Sequence, residues 1–219
     1  MIDNYFILSR VEVANKYCPE NYSRVLEVGC GSGKFAQNLK SDCEKWGVEV
    51  YVPAAENAKS HFNNILIGTY RNVENKLPNE YFDLVVCNDV IEHMSDAAEF
   101  MNDIKKKMKL GGYLIGSVPN VRYYSNMINL LLFRDWKYTD GGILDRTHLR
   151  FFTKKSLKRL FLESGWIIDT LNGIGGAGPS FHQSWTTYIL RIFILIPFMC
   201  AGQFDARFRQ HGFRLIYVK

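Results

Sequence analysis

The sequence predicts an α/β fold built on a doubly wound, mostly parallel seven-stranded sheet, and three observations lead to it. Short apolar runs alternate with segments of helical pattern along the chain, without internal repeats or low-complexity stretches. Leu84-Val85-Val86 is continuously apolar, as a strand buried on both faces requires. The apolar pair Val25-Leu26 runs into a glycine-rich loop, Glu27-Val28-Gly29-Cys30-Gly31-Ser32-Gly33, followed by the helix-compatible residues Lys34 to Leu39. Strands separated by helices lie parallel, and such sheets place ligands beyond the carboxyl ends of their strands.

Taken in order, the pattern predicts a first helix over 8–17, then strands near 24–28, 47–51, 64–67, 82–88, 113–118, 166–171 and 214–218. Helices are expected between them, notably over 35–40, 97–107 and 154–163. The second strand is read from Trp46-Gly47-Val48-Glu49-Val50, a short apolar run with an acid near its end. The basic run Lys105-Lys106-Lys107-Met108-Lys109 falls at the end of a helix just before Gly111-Gly112, where cations complement the helix dipole. Thr153 is placed to cap the helix that follows it. With 219 residues the chain suffices for one domain with a sizeable core and is too short for two comfortable ones, so 1–219 is read as a single domain.

The glycine loop lets backbone approach a ligand where a Cβ would collide, and the helix after it offers unpaired N–H groups. A dinucleotide fingerprint would need G-x-G-x-x-G, but Lys34 stands at the third glycine position. Glu27 lies two residues before the first glycine, and a carboxylate there suits a cationic ligand and repels a pyrophosphate. The pattern Glu-x-Gly-x-Gly-x-Gly resembles motif I of the class I S-adenosylmethionine-dependent methyltransferases, and the resemblance extends over roughly 25–168.

That resemblance implies S-adenosylmethionine as cofactor, with Glu27, Gly29, Gly31 and Gly33 forming its loop and Glu49 accepting both ribose hydroxyls. It implies that Asn88 and Asp89, after the fourth strand, line the cleft beside the methionine moiety, and that the last strand is antiparallel. Many family members carry an aspartate after a glycine at the third strand to hold the adenine amine. Here Gly68 is followed by Thr69 and Tyr70, which offer a hydroxyl and a ring in its place.

Transfer of an already activated methyl asks the protein for alignment, desolvation and removal of the acceptor's proton. His93 and His148 are the candidate bases, since histidine titrates near neutrality. His93 directly follows Glu92 after the fourth strand, and Asp145 is placed to orient His148. The chemistry requires no metal, although Glu92, Asp89 and Asp145 are carboxylates that could gather a divalent ion.

Two segments exceed the needs of the fold. The first, 119–150, is long enough to carry its own helix, expected over 125–133, and is read as a lid over the acceptor. Its Arg122, Tyr123, Tyr124, Asp145 and Arg146 are the candidate acceptor-binding residues, and aromatics with arginines suit a hydroxylated or anionic acceptor. Asp145-Arg146-Thr147-His148-Leu149-Arg150-Phe151-Phe152-Thr153 is similar to a segment found in bacterial methyltransferases encoded near cell-surface glycan enzymes. The second segment, 172–212, begins with Gly173, Gly175, Gly176, Gly178 and Pro179 and becomes apolar over 188–200. Interrupted by Arg191 and Pro197, it falls short of the roughly 20 residues that span a bilayer. It is read as a packed helix, a dimer surface or a peripheral membrane patch.

A formal net charge of +5, not concentrated in an arm, gives no nucleic-acid footprint. The family's base-methylating members carry [Asp/Asn/Ser]-Pro-Pro-[Tyr/Phe] after the fourth strand, whereas Asn88-Asp89-Val90-Ile91 stands here. Cys18, Cys30, Cys43, Cys87 and Cys200 form no C-x-x-C pair, which suggests reduced thiols in a cytoplasmic protein. The N-terminus lacks a basic region followed by an apolar stretch, so no secretory signal is expected. The favoured function is O-methylation of a small molecule or a sugar or glycan precursor, ahead of N-methylation of a small amine. A noncatalytic methyltransferase-like binding module and a nicotinamide-dependent oxidoreductase are the other classes weighed. Lys34, Glu27 and the lack of a Tyr-x-x-x-Lys pair at Tyr123 or Tyr124 oppose the oxidoreductase.

Overall fold

The computed structural model describes residues 4–176 and 204–218. Among them, seven strands form one sheet: β1 (Arg24–Val28), β2 (Glu44–Glu49), β3 (Asn64–Ile67), β4 (Phe82–Asn88), β5 (Met108–Pro119), β6 (Ile167–Gly176) and β7 (Phe208–Ile216). Their order is β3-β2-β1-β4-β5-β7-β6. The first five strands pair in parallel, and β7 runs antiparallel to both β5 and β6. The doubly wound sheet and its antiparallel last strand are as the sequence predicts.

Six α-helices accompany it among the described residues: α1 (Asn4–Tyr17), α2 (Val52–Ala58), α3 (Tyr70–Val73), α4 (Ala97–Asp103), α5 (Tyr124–Leu132) and α6 (Lys154–Glu163). The strand faces alternate as their period of two requires. Val25, Leu84 and Val86 pack with Val13, Tyr17 and Phe35 on one side. Leu26 and Val85 pack with Phe100, Met101, Leu157, Phe161 and Phe213 on the other. Two-sided burial of β1 and β4 puts these strands at the centre and carries their carboxyl ends to one edge. Thr153 caps α6 in a reciprocal box with Ser156. No helix among the described residues is long and apolar enough to cross a membrane.

Several boundaries differ from expectation for local reasons. The helix expected over 35–40 is a 3₁₀ turn, Phe35–Asn38. The Asn38 side chain donates back to the Phe35 carbonyl, which competes with helical continuation. The helix expected over 97–107 is α4 followed by a 3₁₀ turn at Ile104–Lys107. Lys107 there is buried, its ammonium on the Leu77 carbonyl and the Asn79 side chain. The second strand is β2, beginning at Glu44, with Tyr51 already at the start of α2.

The expected insertion over 172–212 shrinks at both ends, because β6 continues to Gly176 and β7 begins at Phe208. Gly173, Gly175 and Gly176 lie within β6. A Cβ on Gly173 would lie 2.0 Å from Cδ2 of Phe208, so the bare backbone at Gly173 makes room for the ring. The apolar run over 188–200 and Cys200 lie outside the described residues.

Candidate active site

The loop after β1 is held open by its own glycines and by the tip of β2. Gly29, Gly31 and Gly33 have φ of +70°, +53° and +81°, backbone that side chains rarely adopt. A Cβ on Gly29 would fall 2.7 Å from Cγ2 of Val90, so Gly29 also seats the loop against the turn after β4. The amides of Gly29 and Cys30 both donate to the Val48 carbonyl, at 2.8 and 3.1 Å. Glu49 completes the frame: one carboxylate oxygen accepts from the Gly31 amide and the other from the Tyr51 amide, each at 2.8 Å. At Gly31 the space a Cβ would occupy is open.

Glu27 stands at the base of this loop with only 2% of its surface exposed, and its Oε2 has no hydrogen-bond partner. Burial pushes its carboxyl up to about 8, against the pull of Arg10 from α1 and with added repulsion from Glu49. A desolvated, unpartnered carboxylate is costly unless a cation or donor meets it. The donor set therefore fits the ammonium and sulfonium of S-adenosylmethionine and opposes a pyrophosphate.

The third strand behaves differently from expectation. Thr69 spends its hydroxyl capping α3, accepting from the Asn72 amide at 3.4 Å. The Tyr70 ring is buried edge-on against Phe100, with centroids 5.1 Å apart, and is not offered to an adenine ring. As the first residue of α3 it points into the core layer between the sheet and α4.

After β4 the chain turns sharply. Asp89 has φ +56°, a strained conformation tolerated best by short polar residues, and its amide donates to the Ser117 carbonyl. Its Oδ1 accepts from Ser117 and Gln210, while its Oδ2 is buried and unpartnered. Burial raises its carboxyl to about 6, with Arg10 and Ser117 opposing. Asn88 is buried, with its Oδ1 accepting from the Ser117 hydroxyl at 3.5 Å.

The turn Ile91–His93 carries the densest chemistry. The Glu92 backbone carbonyl accepts from the amides of both Leu149 and Arg150, at 2.9 and 3.1 Å, which pins the end of the lid segment to this turn. His148 is thereby brought to Glu92, its Nε2 4.0 Å from Oε1, and its ring meets His93 with centroids 4.8 Å apart. Glu92 is 1% exposed and neither carboxylate oxygen has a hydrogen-bond partner. Burial holds it well above the usual carboxylate range, with Asp89 and Asp145 adding repulsion. Burial also lowers His148, against the pull of the Ile143 carbonyl at its Nδ1. Asp145 does not orient the His148 ring. Its Oδ1 accepts from the amide and hydroxyl of Thr147 instead.

The lid helix expected over 125–133 is α5. Beyond it, Trp136 and Tyr138 pack around Phe151, at 5.2 and 6.1 Å. The expected acceptor residues divide into two groups. Arg122 pairs with Asp205 at 3.4 Å, and Tyr123 and Tyr124 pack on each other at 4.5 Å, Tyr124 being buried. Arg146 lies apart from these, in an exposed pair with Asp140.

A chain with this sheet order, this loop and this carboxylate set matches the family model described as a methyltransferase domain over residues 4–171. It belongs to that family. It is a class I, S-adenosylmethionine-dependent methyltransferase. The methyltransferase is 24% identical over 170 residues to the mitochondrial ubiquinone biosynthesis O-methyltransferase of Schizosaccharomyces pombe, covering 74% of this chain and 61% of the relative. It is 23% identical over 206 residues to the ubiquinone biosynthesis O-methyltransferase of Hydrogenovibrio crunogenus, covering 90% and 82%. The chain thus spans about three fifths of the length of the first of these relatives. In fold it is similar to a SAM-dependent methyltransferase from Archaeoglobus fulgidus, with a TM-score of 0.65 at 18% identity over 96% of this chain and 94% of the other.

Sequence reasoning did not find Arg10, Ser117 or Gln210, which lie in no motif and reach the site only through the packing of α1, β5 and β7. A cavity of about 470 Å³ lined by Tyr22, Lys40, Asp83, Lys109 and Tyr113 opens at the opposite, amino-terminal edge of the sheet. Asp83 is already satisfied there by Lys109 and Ser23.

Proposed function

We propose that this methyltransferase transfers a methyl group to a hydroxyl oxygen of a small-molecule acceptor, a class that includes sugars and glycan precursors. The observation that carries the reading is the Glu92–His93–His148 cluster, one turn beyond Asp89 and next to the glycine loop through the Gly29–Val90 contact. When bound, S-adenosylmethionine supplies a methyl made electrophilic by a positive sulfur. Glu27 and Glu49 are the residues that would hold its ammonium and ribose, with the backbone of Gly29 to Gly33 lying against it.

The chain's own work is to exclude water and manage a proton. A neutral hydroxyl is a poor nucleophile, so a nearby imidazole that accepts its proton raises the rate. His93 and His148 are both in reach of one position, and His93 is exposed enough to return that proton to water. The names of the Schizosaccharomyces and Hydrogenovibrio relatives, both O-methyltransferases, support oxygen over nitrogen.

The test is formation of S-adenosylhomocysteine from S-adenosylmethionine with matched panels of phenols, catechols, sugars and amines, followed by mass spectrometry. Turnover with a hydroxylated acceptor is the expected result. Turnover confined to amines, or cofactor binding without turnover of any acceptor, would overturn the reading, the second result favouring a binding module.

A further inference from the structure

We propose that the cleft at the amino-terminal edge of the sheet is a second binding site, for a small organic anion: a phosphate monoester or carboxylate carried on a flat apolar body. Its volume of about 470 Å³ falls in the range of roughly 300–1,000 Å³ that holds such ligands. Doubly wound sheets take their principal ligand at the opposite edge, so this cleft is separate from the methyl-transfer site.

The cleft is built into the backbone. β5 advances from Met108 to Tyr113 while its partner β4 advances only from Phe82 to Leu84, so the chain over 109–112 bulges out of the ladder. Gly112 forms part of the wall because a Cβ there would lie 2.9 Å from the Lys109 carbonyl oxygen and 3.1 Å from that of Asp83. The end of β7 clamps the bulge: the Gly111 amide donates to the Tyr217 carbonyl at 2.8 Å, and the Tyr217 amide donates to the Gly112 carbonyl at 2.9 Å. The opening is therefore formed before any ligand arrives.

The polar groups in it favour an anion. Asp83 is the carboxylate of the lining, and its charge is already spent. Its Oδ2 accepts from the Ser23 amide, the Ser23 hydroxyl and the Arg24 amide, and its Oδ1 accepts from the Lys109 ammonium at 2.6 Å. Lys40 and Lys109 against Asp83 leave one positive charge in the lining. That charge sits on Lys40, whose ammonium donates to the Glu20 carbonyl and lies 5.0 Å from the centre of the Tyr22 ring, with no carboxylate in ion-pair contact among the described residues.

Tyr22 adds a directed donor. Its hydroxyl oxygen accepts from the Lys40 amide at 3.0 Å, which leaves its own proton to give. Burial raises the phenol, so that proton stays in place at neutral pH. An oxyanion beside Lys40 thus meets an ammonium and an O–H together. The Tyr22 and Tyr113 rings and Leu110, 61% exposed, supply the apolar surface for the rest of the ligand. A few convergent polar groups among aromatic and aliphatic walls are the usual make-up of a small-molecule site.

The full chain is titrated by calorimetry with phenyl phosphate, and with inorganic phosphate and phenol as its two halves, with neither cofactor nor acceptor present. The expected result is saturable binding of one phenyl phosphate per chain, at least about tenfold tighter than either half and unchanged by saturating S-adenosylhomocysteine. Lys40→Gln should weaken it about tenfold, whereas Lys40→Arg should retain it. Leu110→Glu sets a repelling carboxylate at an exposed position and should also weaken it, with unchanged S-adenosylhomocysteine affinity reporting that the fold persists. No saturable binding at millimolar phenyl phosphate would overturn the proposal. So would displacement by S-adenosylhomocysteine, which would place the anion in the methyl-transfer cleft, or inorganic phosphate binding as tightly as phenyl phosphate. Affinity unaltered in both Lys40→Gln and Leu110→Glu would overturn it equally.

Discussion

The Glu49 carboxylate accepts a hydrogen bond from the Gly31 amide at 2.8 Å, tying the tip of β2 to the glycine loop that precedes it by a whole crossover. The acid expected to receive a ribose therefore also shapes the loop that lies against it. Glu49→Ala removes both roles. Cofactor affinity should fall by about 1–3 kcal/mol, roughly 5- to 150-fold in dissociation constant. Calorimetric titration with S-adenosylhomocysteine checks this, and unchanged affinity would remove Glu49 from the site.

Glu27 makes a pH-dependent prediction. Its carboxyl is raised from 4.5 to about 8 by burial, so the folded chain binds this proton more tightly than the unfolded chain. Its contribution to stability is therefore full below about pH 4.5 and is lost as pH rises toward 8, by an amount on the order of a few kcal/mol. Glu27→Gln should make the ligand-free chain more stable than wild type at pH 8.5 and nearly equal to it at pH 4.5, while weakening cofactor binding. Thermal unfolding at the two pH values reads the difference. A wild-type advantage at pH 8.5 would contradict the assignment.

Gly29 is constrained twice, by φ +70° and by the 2.7 Å approach of Val90. Gly29→Ala should destabilise the fold by about 1–3 kcal/mol and displace the loop from the turn after β4. Denaturant unfolding measures the first effect and S-adenosylhomocysteine titration the second.

His93 and His148 face one position, so either truncation should cut turnover of a hydroxylated acceptor by about 10²- to 10⁴-fold. Affinity for S-adenosylhomocysteine should change little in His93→Ala. Single-turnover kinetics separates the two effects, and full turnover by both variants would remove the cluster from the chemistry.

Much of this was legible along the chain. The strands over 64–67 and 82–88 lie where their apolar runs place them, and Thr153 caps α6 as its hydroxyl predicts. The acid and glycines of the loop follow from local spacing alone. What was not legible depends on contacts distant in sequence. His148 meets Glu92 because the Leu149 and Arg150 amides dock on the Glu92 carbonyl, and no local pattern encodes that docking. Tyr70 turned into the core against Phe100 because the side of α3 it occupies is fixed by packing. The segment read as beginning at 172 instead continues β6 to Gly176, and Phe208 fills the space above Gly173, a contact no local pattern encodes.

The most direct test of the central claim is transfer of a labelled methyl group from S-adenosylmethionine to hydroxylated acceptors by wild type and Glu27→Gln. The account predicts label on an acceptor oxygen with the wild-type chain and a large loss with Glu27→Gln through weakened cofactor binding. Label on nitrogen alone, or no transfer by a chain that binds S-adenosylhomocysteine, would contradict it.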